Sequence, residues 1–179
     1  SLLEFFEQHQ RVAIGVKGLA RAWPGTGPRT LWGIDVGEGY AGAAVFKGCV
    51  YLMDYDREKK QDTLRCLSLA DGREIWRFVY PVAVKRNHGM SRTVPTVTDQ
   101  YVVAMGPKCH VVCLDRATGE LKWGLDLVRQ FGATVPPWYA GQCPLVDGDA
   151  VILAPGGKDA LVAAVALADG SVRWQTPNP

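Results

Sequence analysis

The sequence predicts an all-β chain made of repeated four-stranded antiparallel units, and three observations carry that expectation. A short segment recurs three times, as Ala70-Asp71-Gly72 through Trp76, Ala117-Thr118-Gly119 through Trp123 and Ala168-Asp169-Gly170 through Trp174. Its glycines, at 72, 119 and 170, lie 47 and 51 residues apart, a period that marks propellers, solenoids or arrays. Apolar, β-prone runs of strand length precede each copy, at 64–67, 111–114 and 162–165.

In chain order, each unit reads as strands A to D. The first unit places them at roughly 42–46, 49–54, 63–69 and 73–80, the second at 93–98, 101–106, 109–115 and 120–127, and the third at 142–146, 150–154, 160–167 and 171–176. Short polar or glycine-bearing links join A to B, at 46–48, 98–100 and 147–149, which is hairpin chemistry. The C–D turns carry Gly72, Gly119 and Gly170, because glycine accepts the positive φ of a tight loop at little steric cost. Each tryptophan stands four residues past its glycine, an even number, so it emerges on the same sheet face in every copy. Trp32, 44 residues before Trp76, reads as a lone D strand at 30–34 that closes a preceding unit. Four-stranded units of this length arranged radially make a β-propeller, here about three full blades (41–80, 92–127 and 140–176) plus one strand. A sandwich of about twelve strands is the rival, but it supplies no reason for one tryptophan to recur in identical register.

The bulk composition narrows the partners. At 179 residues, 47% hydrophobic and 21% charged, the chain can build a core. Its formal net charge of +2 is spread over interleaved signs, with no basic stripe for nucleic acid or an anionic membrane. No apolar run approaches the ~18 residues of a membrane span, and no export signal is recognisable. Cysteines at 49, 66, 109, 113 and 143 have neither metal-ligand spacing nor disulfide density. On one strand, Cys109 and Cys113 would stand ~13 Å apart, too far to bridge. Cys66 and Cys113 precede their repeat tryptophans by ten residues, where the third copy has Ala164, which reads as a small buried strand position.

The pattern Ala-x-Asp/Thr-Gly-x-x-x-Trp, preceded by Cys-Leu in two copies and followed by a Pro-x-Val strand, resembles the pyrroloquinoline-quinone (PQQ)-like propeller repeat over about residues 22–179. That superfamily includes quinoprotein dehydrogenases, BamB-like envelope proteins and PQQ-binding-like propeller proteins. The resemblance implies that Trp32, Trp76, Trp123 and Trp174 dock neighbouring blades, with Gly72, Gly119 and Gly170 in the turns. Burying one indole contributes at most about 4–6 kcal/mol, enough to explain the motif without a cofactor. The enzymatic residues of the quinoproteins do not carry over: the sequence has no adjacent cysteine pair and no clustered carboxylates and amides. The expectation is therefore no catalytic, cofactor-binding or metal-binding residue, with PQQ a cofactor only if a fuller ring supplies the missing groups. Asp54, Asp56, Glu58 and Asp62 share a stretch with Arg57, Lys59 and Lys60, which reads as a solvated hairpin tip rather than a calcium loop. His9, His88 and His110 are scattered and have no evident nucleophile partner.

In an A–B–C–D meander, the B–C and D–A links share one face of the ring. The long links, at about 54–62, 80–92, 127–141 and 154–159, all belong to that class, so insertions crowd a single face, the expected side for a protein partner. Within it stand Lys85, Arg86, His88 and Arg92, and then Trp138 and Tyr139 after two prolines. A binding reading sets the cations against an acidic group and the aromatics as anchors. The alternative leaves Arg86 and Arg92 solvated and has Trp138 pack its own loop.

Three blades are fewer than a closed ring needs. Residues 1–22, with a weakly helical 2–8, form an N-terminal extension or cap before the partial propeller at 23–179. Otherwise further sequence or oligomerisation completes the ring; the chain stops where the next D–A link would begin. The resemblance implies a periplasmic or cell-envelope protein-binding scaffold. The alternatives are part of a quinoprotein dehydrogenase, or a sensor propeller joined to another domain.

Overall fold

A computed structural model describes residues 22–25, 27–87 and 90–178. The chain divides into two compact units, Ser1–Leu31 and Trp32–Pro179. In the first, the described residues 22–25 and 27–31 form no helix or strand, and Gly27 N–H donates to Pro24 O over 2.8 Å. The expected cap falls almost wholly outside the described residues.

The second unit is three four-stranded antiparallel sheets of consecutive strands. The first holds β1 (Ala44–Phe46), β2 (Cys49–Asp56), β3 (Gln61–Ser68) and β4 (Glu74–Pro81). The second holds β5 (Thr96–Val97), β6 (Tyr101–Met105), β7 (His110–Asp115) and β8 (Leu121–Asp126), followed by one helical turn and a half, α1 (Leu127–Phe131). The third holds β9 (Leu145–Asp147), β10 (Ala150–Leu153), β11 (Ala163–Ala166) and β12 (Val172–Gln175). Asp126 starts α1 by accepting from Val128 N and Arg129 N, and Gly132, with φ 64°, ends it. The helix lies within the second long D–A link.

The three sheets are built alike because the same residues recur. Each C–D pairing carries a register shift at one position of the repeat, between Cys66 and Leu67, Cys113 and Leu114, and Ala164 and Val165. Opposite it, Cys66 pairs Trp76, Cys113 pairs Trp123 and Ala164 pairs Trp174. All three small residues are buried, and all five cysteines are free. Trp76 donates to Arg116 O over 3.0 Å and Trp123 to Leu167 O over 2.8 Å, both in the next sheet's C–D turn. A Cβ at Gly119 would stand 2.7 Å from the Trp76 ring, and one at Gly170 would stand 2.9 Å from Trp123, so only glycine lets the indole lie on the turn. The segment around Trp32 forms no ladder, yet its indole donates to Leu69 O over 2.8 Å and lies on Gly72 in the same way. Among the described residues Trp174 has no such neighbour, and it is 47% exposed.

Apolar side chains fill the spaces between sheets: Tyr51, Leu64, Val102 and Leu114 between the first and second, and Val103, Met105, Leu153 and Val165 between the second and third.

Besides the D strand expected at 30–34, which does not form, a second expectation is overturned. The acidic stretch around Asp54 and Asp62 is not a solvated loop: β2 and β3 run through it, and only residues 57–60 turn. Asp54 and Asp62 are buried because partners distant in sequence meet them. Asp54 pairs with Arg65 at 2.9 Å and accepts from Gly37 N at 2.6 Å. Asp62 accepts from the Tyr80 hydroxyl at 2.8 Å and from the Ser91 hydroxyl. Glu58 stays exposed in the turn, as expected, and Asp56 accepts from Lys59 N. The first B–C link is thus short, and the long links are 82–95, 127–144 and 154–162.

Candidate functional site

The three long links meet at one end of the sheets. Gly132 O accepts from Lys158 N at 3.3 Å, and Ala140 N donates to Pro107 O at 2.9 Å, joining the second D–A link to the B–C links of the third and second sheets. The two D–A links are clasped by Tyr139, whose hydroxyl accepts from Lys85 N at 2.6 Å and donates to Lys85 O at 3.1 Å. Tyr139 is buried in a left-handed conformation, φ 63°, at the end of a turn that Tyr139 N closes onto Pro136 O at 2.9 Å. A bulky residue holds that backbone conformation only when its surroundings fix it.

Arg92 crosses between the same links. Its Nη2 donates to Tyr139 O at 3.1 Å and its Nε to Ala140 O at 3.4 Å. The guanidinium lies against Gly141, where a Cβ would stand 2.6 Å from Nη2. Among the described residues no carboxylate comes within ion-pair distance of it. Arg86, by contrast, pairs with Glu38 at 3.3 Å. Trp138 is 60% exposed. His88 lies outside the described residues. The structure thus brings Arg92 and Tyr139 together, leaves the adjoining Trp138 exposed, sets Arg86 on an ion pair with Glu38, and gives Tyr139 the packing role that the alternative reading gave Trp138.

Beside Arg92 a cavity of about 560 Å³ opens between the second and third sheets. Buried Met105, Cys109 and Leu127 line it together with Thr134, Pro136, Gln142 and Ala154. No Asp or Glu is among its lining residues. Sequence reasoning missed Gly141 and Met105, although a glycine two residues after the aromatic pair is a signal that backbone and a side chain approach closely there.

A polar cluster anchors the other end of the first D–A link. Burial raises the Asp62 carboxyl from 3.8 to about 6, against the lowering pull of its bonds from Ser91 and Tyr80. Burial, and then the Asp62 charge, push the Tyr80 hydroxyl well above its ordinary value. Gly106 leaves the room the Tyr80 hydroxyl needs, since a Cβ there would overlap it. Burial lowers His110, whose ring stacks edge-on to Tyr80 at 5.7 Å.

Among the described residues no three of His, Cys, Asp and Glu converge as metal ligands. Among the described residues the buried acids are Asp54 and Asp62: both Asp62 oxygens accept, from Tyr80 and Ser91, and Asp54 Oδ2 meets Arg65 and Gly37 N while its Oδ1 has no hydrogen-bond partner.

The family model described as outer membrane protein assembly factor BamB matches residues 60–179. The chain belongs to this BamB family. No curated protein matches it. Solved structures share its fold: BamB from Moraxella catarrhalis superposes with a TM-score of 0.56 at 16% identity, over 82% of this chain and 39% of that one. A quinohemoprotein alcohol dehydrogenase from Comamonas testosteroni gives 0.57 at 17% identity, over 79% and 21%. The computationally designed Ika4 protein gives 0.58 at 14%, over 85% and 81%. At these identities the likeness establishes the propeller architecture, and this BamB-family chain spans about two fifths of the Moraxella protein.

Proposed function

We propose that this chain is a non-catalytic propeller scaffold of the bacterial envelope, without a resident cofactor, that binds a protein partner through its long-link face. The carrying observation is that face itself: two long D–A links pinned together by Tyr139 and Arg92, with the third link joined to them at Gly132, presenting an exposed Trp138 and an arginine with no carboxylate partner among the described residues. Rigid aromatic and arginine side chains in a fixed frame are what a binding surface needs, because little conformational freedom is lost when a partner docks. Membership of a family named for outer membrane protein assembly supports the envelope assignment.

Photo-crosslinking in the host envelope tests the reading. A benzoylphenylalanine in place of Trp138 is expected to capture one discrete protein, while the same group at Thr118, in a C–D turn on the opposite side, captures none. Equal capture from both positions would refute a loop-face scaffold. The quinoprotein alternative predicts saturable heat when PQQ and calcium are added to the protein; the scaffold predicts none.

A further inference from the structure

We propose that the cavity between the second and third sheets receives the carboxyl terminus of a polypeptide, with the terminal carboxylate on Arg92 and an apolar last side chain against Met105 and Leu127. The proposal rests on the scaffold reading and names what that face recognises.

Charge is the first argument. A guanidinium carries five N–H donors, and Arg92 uses two on carbonyl oxygens, leaving three. Among the described residues no acid lines the cavity, so the cationic charge of Arg92 has no counterpart in its lining. An arginine without a carboxylate partner, in a site also lined by apolar groups, favours an anion that can take two parallel N–H bonds.

Preorganisation is the second. Carbonyls of Tyr139 and Ala140 hold the guanidinium, and Gly141 gives it a flat backbone bed. That backbone is fixed in turn by Ala140 N on Pro107 O and by the Tyr139 clasp on Lys85. The fork is therefore set before the ligand arrives, and its ordering cost has been met in folding.

Shape selects a chain end over an internal acidic residue. The cavity's 560 Å³ is room for more than a carboxylate, and buried Met105 and Leu127 with Ala154 offer apolar surface beside the charge. A C-terminal residue carries its carboxylate and its side chain on one Cα, so both reach this adjoining pair of surfaces at once. An internal Asp or Glu would bring only the charge. Thr134 and Gln142 supply a hydroxyl and an amide for the last peptide group.

The test uses a fluorescein-labelled peptide, Gly-Ser-Gly-Ser-Ala-Leu, as the free acid, as the C-terminal amide, and as an amide carrying Glu in place of the second Ser, read by anisotropy. The free acid is expected to bind saturably and at least about tenfold tighter than either amide. Arg92→Gln should remove that preference. Because Arg92 also ties two links together, Ala154→Glu serves as the second variant: it touches none of those bonds, leaves the circular dichroism unchanged, and should weaken the free acid about tenfold through like charge. Equal binding of acid and amide, preference for the internal Glu, or no saturable binding of the free acid to the folded protein below about 1 mM overturns the proposal. Crosslinking at position 138 that persists while the peptide fails removes this pocket's role and leaves the scaffold standing; loss of both removes the scaffold as well.

Discussion

Gly119 carries two constraints at once, and substitution separates them. Its φ is 75°, the same as that of Gly48, but Gly48 opens on empty space whereas a Cβ at Gly119 would press on Trp76. Gly48→Ala should therefore cost about 1 kcal/mol, the left-handed strain alone. Gly119→Ala adds overpacking to that strain and should cost about 2–4 kcal/mol in urea unfolding. Equal costs would mean that the Trp76 indole moves aside freely. Asp62 offers a pH-dependent counterpart. Burial raises its folded-state value from 3.8 to about 6, so the folded chain holds that proton more tightly than the unfolded chain. The group's contribution to stability is then greatest below about pH 4 and declines as the pH rises through 6, where the buried carboxylate ionises. A displacement of about two pH units corresponds to about 3 kcal/mol. Asp62→Asn keeps an acceptor for the Ser91 hydroxyl and has no proton to lose. Its urea midpoint should stay flat across that window while the parent's falls, and parallel slopes would assign the effect to another group.

At the scale of elements, the strand–turn–strand repeat is legible in sequence because its determinants are local: an apolar run, a glycine at positive φ and a tryptophan at an even offset. The bulge opposite Trp76, Trp123 and Trp174 is not legible, since it is defined by pairing across strands. The acidic hairpin misleads for a related reason. Asp54 and Asp62 look solvated next to Arg57, Lys59 and Lys60, but their partners Gly37, Arg65, Tyr80 and Ser91 come from four different segments that only the folded chain assembles. On the loop face, the arginine and the aromatics are recognisable as residue types. The exchange of roles between Trp138, which is exposed, and Tyr139, which is buried, follows from the left-handed turn at Tyr139, which no local pattern announces. That turn predicts a measurable behaviour of the first D–A link. Tyr139→Phe deletes one hydroxyl that both accepts from and donates to Lys85, leaving the ring in place. The Lys85 amide should exchange with solvent about tenfold faster, while the melting temperature falls by only a few degrees, because the two hydrogen bonds lost contribute about 1 kcal/mol each. Unchanged exchange at Lys85 would show that the link is held by its other contacts, such as Ser91 on Asp62 and Tyr55 on Val82.

Across the whole molecule, stability in a stacked array is a sum of unit and nearest-neighbour contributions, so equivalent residues should differ in cost according to what lies beside them. The second sheet has a sheet on each side, and its Trp123 is buried, lies on Gly170 and donates to Leu167 O. The third sheet's Trp174 occupies the same repeat position, yet every residue of its strand β12 is exposed. Trp123→Ala removes a buried indole and should cost about 3–5 kcal/mol. Trp174→Ala removes an indole that solvent already reaches and should cost less than about 1 kcal/mol. Amide exchange should follow the same order, fastest in β12 and slowest in β7, whose residues between Val111 and Leu114 are buried throughout. The comparison also reports on assembly. If Trp174→Ala proves as costly as Trp123→Ala, and that cost falls away on dilution, then a second copy of the chain covers the third sheet in solution, since a concentration-dependent cost is the mark of a residue buried between molecules.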